Sequence, residues 1–278
     1  MRVSVVSDLH LEFEYCSLPG GDLLLMAGDI FVASNLPEFR NDADSRAQKK
    51  RYRKFCAVEL KKYHKVLKCM GNHSHYGGAI DDSAELIRDL FAEFSPNAQL
   101  LDNEYVEIDG VRFIASTLWA TYGYGTANQL AIQDSTNDFK LIHVPDEEDS
   151  SGFRTRKFRV EDANRLHQEA LAFIKGAVEV DKCILMTHHA PTYLACNRKR
   201  FPNGDMDDAY ASNLHEFILD NPQIRMAFHG HSHYRYRANI GETKVAANPR
   251  GYYSYERESR SFDAAECDFD LSRFEFIS

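Results

Sequence analysis

Several features that mark specialised proteins are missing from this sequence of 278 residues. No apolar run is long enough to cross a bilayer, so no membrane-spanning helix is expected. The six cysteines are scattered without a CxxC pair, which argues against a disulfide framework and against a cysteine-rich zinc site. No segment repeats with a period of roughly 20–50 residues, so a solenoid is not expected. We therefore expect one globular domain over residues 1–278, with reduced thiols and a cytoplasmic location.

Positive charge is also scarce, because 33 Lys and Arg face 42 Asp and Glu and give a formal net charge of −9. The surface as a whole should not attract nucleic acid. The exception is the segment 45–68, a predicted helix that carries ten basic residues against Glu59 alone. Its apolar residues recur at helical spacing. It is either a solvated amphipathic helix or a basic rim that attracts a polyanionic substrate.

The sequence does contain a recurring pattern, in which a short apolar strand ends abruptly in polar residues. The five clusters are Asp8-x-His10, Gly28-Asp29, Gly71-Asn72-His73, His188-His189 and His229-Gly-His231-Ser-His233. Ligand sites in open α/β sheets form beyond the carboxyl ends of the strands. Five clusters at five such ends should therefore converge on one place.

The chemistry of these clusters predicts a metal site. The candidate ligands combine carboxylate, imidazole and amide oxygen without thiolate, a mixture that suits Mn, Fe, Zn or similar ions. They are Asp8, His10, Asp29, Asn72, His231 and His233, together with one of His188 and His189. The residues alone leave the choice between the two adjacent histidines open.

The remaining segments predict elements that would frame this site. Helices are expected over residues 82–94, 160–175 and 211–219, and hairpins at Asp109-Gly110 and near Gly241. Residues 120–160, with the acidic run Asp146 to Asp149, read as an exposed loop or lid. Phe274 to Ile277 could form an edge strand.

In their order, the five clusters resemble the successive motifs of the calcineurin-like metallophosphoesterases, from residue 3 to about residue 252. Thr187–Pro191 (THHAP), Tyr210–Leu214 and Asn248–Tyr252 (NPRGY) resemble a bacterial and phage-type branch of that superfamily. The resemblance implies an α/β fold, a four-layer αββα sandwich of two mixed β-sheets flanked by helices. It also implies a site for two divalent metal ions between the sheet ends.

The resemblance assigns roles to individual residues. One metal would be held by Asp8, His10 and His233, the other by Asn72, His188 and His231, with Asp29 bridging the two. A hydroxide between two such ions attacks phosphorus in line with the leaving group. His73 would act as general acid or stabilise the transition state. With His188 as the ligand, His189 would contact substrate or pack beneath the site.

One position departs from the family pattern. The family usually has an acidic residue after Gly-Asn-His, where it orients and charges the histidine, and here that residue is Ser74. A hydroxyl can accept a hydrogen bond but supplies no counter-charge. The strength of His73 as an acid is therefore in question.

Two basic features could contact substrate. Arg250 either ties loops together through its fork of donors or binds phosphate. Arg198, Lys199 and Arg200 could bind substrate if their loop folds over the site.

The resemblance, together with the metal-ligand residues at the strand ends, implies a metal-dependent phosphoesterase for phosphodiesters or nucleotide-type phosphates. The alternatives are a phosphomonoesterase or protein phosphatase, a nuclease, and a non-catalytic scaffold on the same fold. The expected partner is a phosphate ester, including a nucleotide or nucleic acid, with no membrane partner. The sequence does not indicate an oligomeric state.

Overall fold

Two six-stranded mixed β-sheets lie face to face and are covered on their outer faces by helices. The computed structural model describes residues 1–146, 154–253 and 255–277, without the side chain of residue 258. The first half of the chain forms β1 (Arg2–Val6), β2 (Gly21–Ala27), α1 (Ala43–Val58), β3 (Tyr63–Cys69), α2 (Ile80–Phe94), β4 (Ala98–Leu101), β5 (Glu104–Ile108), β6 (Val111–Ser116), α3 (Gln129–Ser135) and α4 (Asp138–Leu141).

The second half continues in the same manner. It forms β7 (His143–Pro145), β8 (Thr155–Lys157), α5 (Val160–Ala177), β9 (Cys183–Thr187), α6 (Asp207–Tyr210), α7 (His215–Leu219), β10 (Ile224–His229), β11 (Tyr236–Ile240), β12 (Thr243–Ala247), β13 (Phe269–Asp270) and β14 (Glu275–Phe276). The first sheet has the order β14-β13-β1-β2-β3-β4 and the second β11-β12-β10-β9-β6-β5. The four-layer α/β prediction is confirmed.

The central strands of both sheets are parallel, so their carboxyl ends point the same way. In the first sheet β1 through β4 are parallel, and in the second sheet β6, β9, β10 and β12 are parallel. A parallel strand is buried on both faces and is therefore almost continuously apolar. In β2, Leu23 and Leu25 pack between the sheets while Leu24 and Met26 face α1 and α2.

Helix α1 is shorter than the sequence predicted. The predicted helix 45–68 ends at Val58, and Tyr63–Cys69 forms the strand β3 inside the first sheet. Glu59 follows α1, and its carboxylate accepts hydrogen bonds from the Leu18 amide at 2.8 Å and from Lys62 at 2.6 Å. These contacts turn the chain at the helix end. The helical spacing of the apolar residues therefore wrongly predicted helix at the start of the buried strand β3.

Two other predictions need correction. The predicted helix 211–219 is helical only in α7, from residue 215 on, because Ala211 is extended and bridges to Ala190. The segment 120–160 was expected to be irregular, but it contains α3, α4 and the β7–β8 ribbon. Most of its acidic run lies outside the described residues.

No helix in the described ranges has the length and apolarity needed to cross a membrane.

Candidate active site

The polar clusters meet at the carboxyl ends of the two sheets, on strained backbone. Asp8, His10, Asp29, His231 and His233 all have positive φ, between 45° and 66°. Residues other than glycine rarely adopt this conformation, and each instance costs about 1–3 kcal/mol. The backbone conformation of these five residues therefore lowers the stability of the fold rather than raising it.

One cluster joins Asp8, His10 and His233, whose ligand atoms lie within 4.8 Å of one another. The Nε2 atoms of His10 and His233 face each other at 3.0 Å. His233 Nε2 lies 3.5 Å from Asp8 Oδ1, and Asp8 Oδ2 is buried with no hydrogen-bond partner among the described atoms. The three side chains therefore converge on one point.

A second cluster joins Asp29, His188 and His231 with the same spacing of ligand atoms. His188 Nε2 lies 3.1 Å from Asp29 Oδ2 and 2.9 Å from Asn72 Oδ1. The backbone amide of His231 donates to Asp8 Oδ1 at 2.9 Å, which ties this cluster to the first. The four predicted members of the second ligand set therefore lie together.

Outer hydrogen bonds fix the orientation of these rings. Glu12 accepts from His10 Nδ1 at 2.8 Å, and Glu256 accepts from His233 Nδ1 at 2.8 Å. The carbonyl of Ala27 accepts from His188 Nδ1 at 3.0 Å. In a neutral histidine, a partner of this kind keeps the proton on Nδ1 and leaves Nε2 able to bind a metal ion. Each Nε2 is thereby aimed into the site.

The amide of Asn72 is oriented from the other side by a buried carboxylate. Asp138 accepts from Asn72 Nδ2 at 2.8 Å, from the Tyr76 hydroxyl at 2.7 Å and from the Tyr122 hydroxyl at 2.6 Å. The amide nitrogen is thus engaged away from the site. The oxygen of Asn72 is left to point at His188.

The donor set fits divalent cations. One buried carboxylate oxygen has no hydrogen-bond partner among the described atoms, and two imidazole nitrogens face each other. A cation would satisfy this arrangement.

The backbone around the site packs closely against the candidate ligand side chains. A Cβ on Gly28 would collide with His188, and one on Gly71 would collide with Asp29. These glycines are needed because the ligand side chains approach the backbone closely.

Charge is balanced within the site. Burial alone would raise the pKa of Asp8, but the hydrogen bond and positive charge of His233 hold it well below its usual range. Burial opposes protonation of His233, yet Asp8 and Glu256 raise its pKa to about 10. Burial together with the charge of His188 lowers the pKa of His231 to about 3. The carboxylates are held ionised, which is the form that binds cations.

His73 stands at the edge of the two clusters. Its backbone amide donates to Asp29 Oδ1 at 3.0 Å, and its ring lies between Glu12 Oε1, at 3.3 Å from Nδ1, and the Tyr252 hydroxyl, at 3.0 Å from Nε2. Burial disfavours the charged ring, but the charge of Asp29 and the hydrogen bond to Glu12 raise its pKa. The acidic partner absent at position 74 is therefore supplied by Glu12. Ser74 is buried, and its hydroxyl has no partner in the described structure.

His189 is not at the cavity. Its ring is fully buried, with Nδ1 at 3.2 Å from the Thr117 carbonyl and Nε2 at 3.2 Å from the Tyr122 hydroxyl. Burial holds its pKa well below the ordinary value for histidine. Of the two adjacent histidines, His188 is the one that reaches the ligand cluster. His189 packs behind it.

Arg250 is also buried, and its guanidinium ties loops together. It donates to the carbonyls of Leu9 at 3.2 Å, Glu14 at 3.0 Å and Tyr15 at 3.0 Å. This geometry is the loop-tying role considered for Arg250. Its donors are committed to backbone rather than aimed at the two candidate ligand clusters.

A cavity of about 200 Å³ opens over the site. Five residues of the clusters line it, and the rest of its wall comes from other segments: Asp29, Asn72, His73, His231 and His233, with Tyr76, Ser135, Thr136, Asn137, Arg200, Met206, Ala209, Tyr210 and Tyr252. The segment 120–160 therefore borders the site through residues 135–137. Of the three neighbouring cations, Arg200 reaches the wall, whereas Arg198 pairs with Asp207 at 2.6 Å.

Sequence reasoning missed the outer partners Glu12, Asp138, Tyr122 and Glu256. Only Glu12 carried a usable signal, because it continues the alternation of Asp8-x-His10 by one more step. The other three lie far along the chain from the side chains that they contact, in segments without a distinctive motif.

Comparisons with known proteins bear on the family and the fold. The sequence profile described as calcineurin-like phosphoesterase matches residues 1–235. The uncharacterized protein L509 of Acanthamoeba polyphaga mimivirus is 30% identical over 274 residues, covering 91% of this chain and 92% of that protein. The solved structure of phosphopantetheinyl hydrolase from Mycobacterium tuberculosis is similar with a TM-score of 0.54, at 14% identity over 92% of each chain. At that identity the structural likeness supports the fold alone.

Proposed function

Because the chain belongs to the calcineurin-like phosphoesterase family, we propose that it hydrolyses a phosphodiester or a nucleotide-type phosphate with the help of two divalent metal ions. The observation that carries this proposal is the pair of ligand clusters joined through Asp8 and His231. Two cations held there would supply a water of lowered pKa and positive charge for the phosphoryl oxygens. Manganese, iron and zinc all suit this donor set.

The ligand roles follow from the two clusters. We assign Asp8, His10 and His233 to one ion, and Asn72, His188 and His231 to the other. Asp29 lies between His188 Nε2 and the His73 amide, and we place it as the shared ligand. These positions all carry competent ligand side chains, which weighs against a scaffold without metals.

His73 is the proposed catalytic residue. Its ring lines the cavity, and Glu12 and Asp29 favour its protonated form. A protonated imidazole at the cavity wall can donate to the departing oxygen of a phosphate ester or stabilise its charge. The Tyr252 hydroxyl, 3.0 Å from Nε2, marks the direction in which the ring would donate.

The test is hydrolysis of bis(p-nitrophenyl) phosphate against p-nitrophenyl phosphate by protein loaded with manganese. Diester turnover that is lost in Asp29→Asn and retained in Asp89→Asn, an exposed carboxylate on α2, supports the proposal. A preference for the monoester would replace it with a phosphomonoesterase. Less than half an ion per chain after loading would favour the scaffold.

A further inference from the structure

A second and larger groove opens beside the catalytic cavity. Its volume is about 610 Å³ against about 200 Å³ for the cavity, and the two share Arg200 and His233 as wall residues. The cavity and the groove therefore adjoin at these two side chains.

Exposed positive charge lines the groove. Lys199, Arg200 and Arg257 line it with exposed side chains, and none forms an ion pair with a described residue. Among its described wall residues Glu256 is the single acid, and it is engaged by His233 at 2.8 Å and by the Tyr252 amide at 3.0 Å. In a protein with a net charge of −9, these cations form a local positive surface at the site.

Helix α1, the basic surface expected from the sequence, is different. Lys49 donates to the carbonyl of Pro37 at 2.9 Å, and Arg51 donates to the carbonyls of Leu11 at 2.6 Å and Glu12 at 2.8 Å. Residues of α1 line neither the cavity nor the groove. The cations placed to contact substrate lie instead around residues 199, 200 and 257.

Two aromatic side chains share the groove wall with these cations. Tyr255, whose side chain is 76% exposed, and Tyr234 line the same groove. Cations that follow a phosphate chain, combined with aromatic faces on which bases stack, are the means by which proteins bind single-stranded nucleic acid. The Tyr255 ring meets Phe13 edge to face, with ring centroids 5.8 Å apart, and its large exposed area leaves it open to stacking.

We propose that this groove binds a nucleotide chain that continues from the scissile phosphate and carries at least one further phosphate and a base. This inference rests on the proposed function for the position of the scissile phosphate, but the groove itself is a binding surface of the protein without metal. An oligonucleotide and a nucleoside polyphosphate share this chemistry.

The experiment is fluorescence anisotropy of a labelled single-stranded oligothymidylate with the full chain in EDTA, at several salt concentrations. The double variant Lys199→Gln, Arg257→Gln should bind roughly tenfold more weakly, with a salt slope smaller by about 0.7 for each lost phosphate contact. Its matched control, Lys50→Gln with Lys61→Gln, removes two exposed cations of the α1 region and should bind like the parent. Tyr255→Ala should weaken binding, and Tyr255→Trp should restore it.

Competition distinguishes the two sources of the ligand. Displacement of the oligonucleotide by ATP at a similar concentration identifies a site for nucleoside polyphosphates, whereas failure of ATP to displace it identifies an oligonucleotide site. Parent protein that does not bind the probe or ATP, or a double variant that binds like the parent, would overturn the proposal. Hydrolysis of bis(p-nitrophenyl) phosphate by the metal-loaded parent, measured in parallel, separates failure of the groove from failure of the proposed function.

Discussion

Glu12 links the proposed metal site to the proposed catalytic residue. Its carboxylate contacts both His10, a proposed metal ligand, and His73. Its Oε1 lies 2.8 Å from His10 Nδ1 and 3.3 Å from His73 Nδ1. Burial would raise its pKa, but the charge of His10 and the hydrogen bonds of both rings hold that pKa at about 2. Glu12 therefore stays ionised between the two rings and supplies the charge that Ser74 cannot.

Replacing Glu12 by Gln tests this positioning role. Glutamine keeps the size and an acceptor oxygen but removes the charge, so kcat for bis(p-nitrophenyl) phosphate should fall by about 10–100-fold while KM changes little. The control is Glu14→Gln, two residues along on an exposed side chain. A variant that retains two ions per chain and the parent Tm but turns over at the parent rate would contradict the role.

Asp138, in contrast to Glu12, should contribute mainly to the stability of the fold. It is fully buried and accepts hydrogen bonds from Asn72, Tyr76 and Tyr122. In Asp138→Asn the amide nitrogen would face these donors, and a buried donor without an acceptor costs about 1–3 kcal/mol. Urea unfolding should show this loss in the free energy of unfolding, and Asp134→Asn, exposed in α3, should show almost none. An unchanged free energy in Asp138→Asn would mean that another side chain orients Asn72.

At the scale of the elements, the sequence predicts strands better than helix ends. Short apolar runs followed directly by polar residues form four of the strands, β1, β2, β3 and β9. The sequence therefore predicted where these strands end. The end of α1 was not, because it depends on Glu59 meeting Leu18, which lies 41 residues earlier. Long-range contacts of this kind leave no trace in local periodicity.

The same reasoning explains what could be predicted at the site. The strand ends indicate which residues converge, since parallel strands of one sheet end at one edge. They do not indicate that Glu12 replaces the acid expected at position 74, because that depends on how the loop after β1 closes over the Gly71 turn. They also cannot distinguish His188 from His189, since neighbouring residues on an extended chain point to opposite faces.

The turn at Gly71 is the element whose close packing is most readily tested. In Gly71→Ala the added methyl group would meet the Asp29 carboxylate, and overpacking of this kind costs about 1–3 kcal/mol. We expect Gly71→Ala to lower both the Tm and the manganese content. Gly176→Ala is the control, because a Cβ there meets nothing within 4 Å and lies in α5, where alanine is the better helix former. Equal Tm values for the two variants would show that the turn has room to adjust.

At the scale of the whole molecule, metal binding should stabilise the fold. A ligand that binds only the folded state adds about 2.7 kcal/mol at a concentration one hundred times its Kd. Manganese should therefore raise the Tm measured in EDTA-treated protein, and Asp8→Asn should remove most of the increase. Asp89→Asn should keep it. A Tm that is independent of manganese in the parent would contradict binding at the two clusters.

The proposed ligands are divided between the two sheets. Asp8, His10, Asp29 and Asn72 follow strands of the first sheet, whereas His188, His231 and His233 follow strands of the second. During synthesis the ribosome releases the first group long before the second, and neither proposed ion has its full set until residue 233 has emerged. An unfinished or truncated chain thus carries the carboxylates without the histidines that complete each set. Metal uptake at the proposed sites would therefore have to wait until both halves of the chain have met.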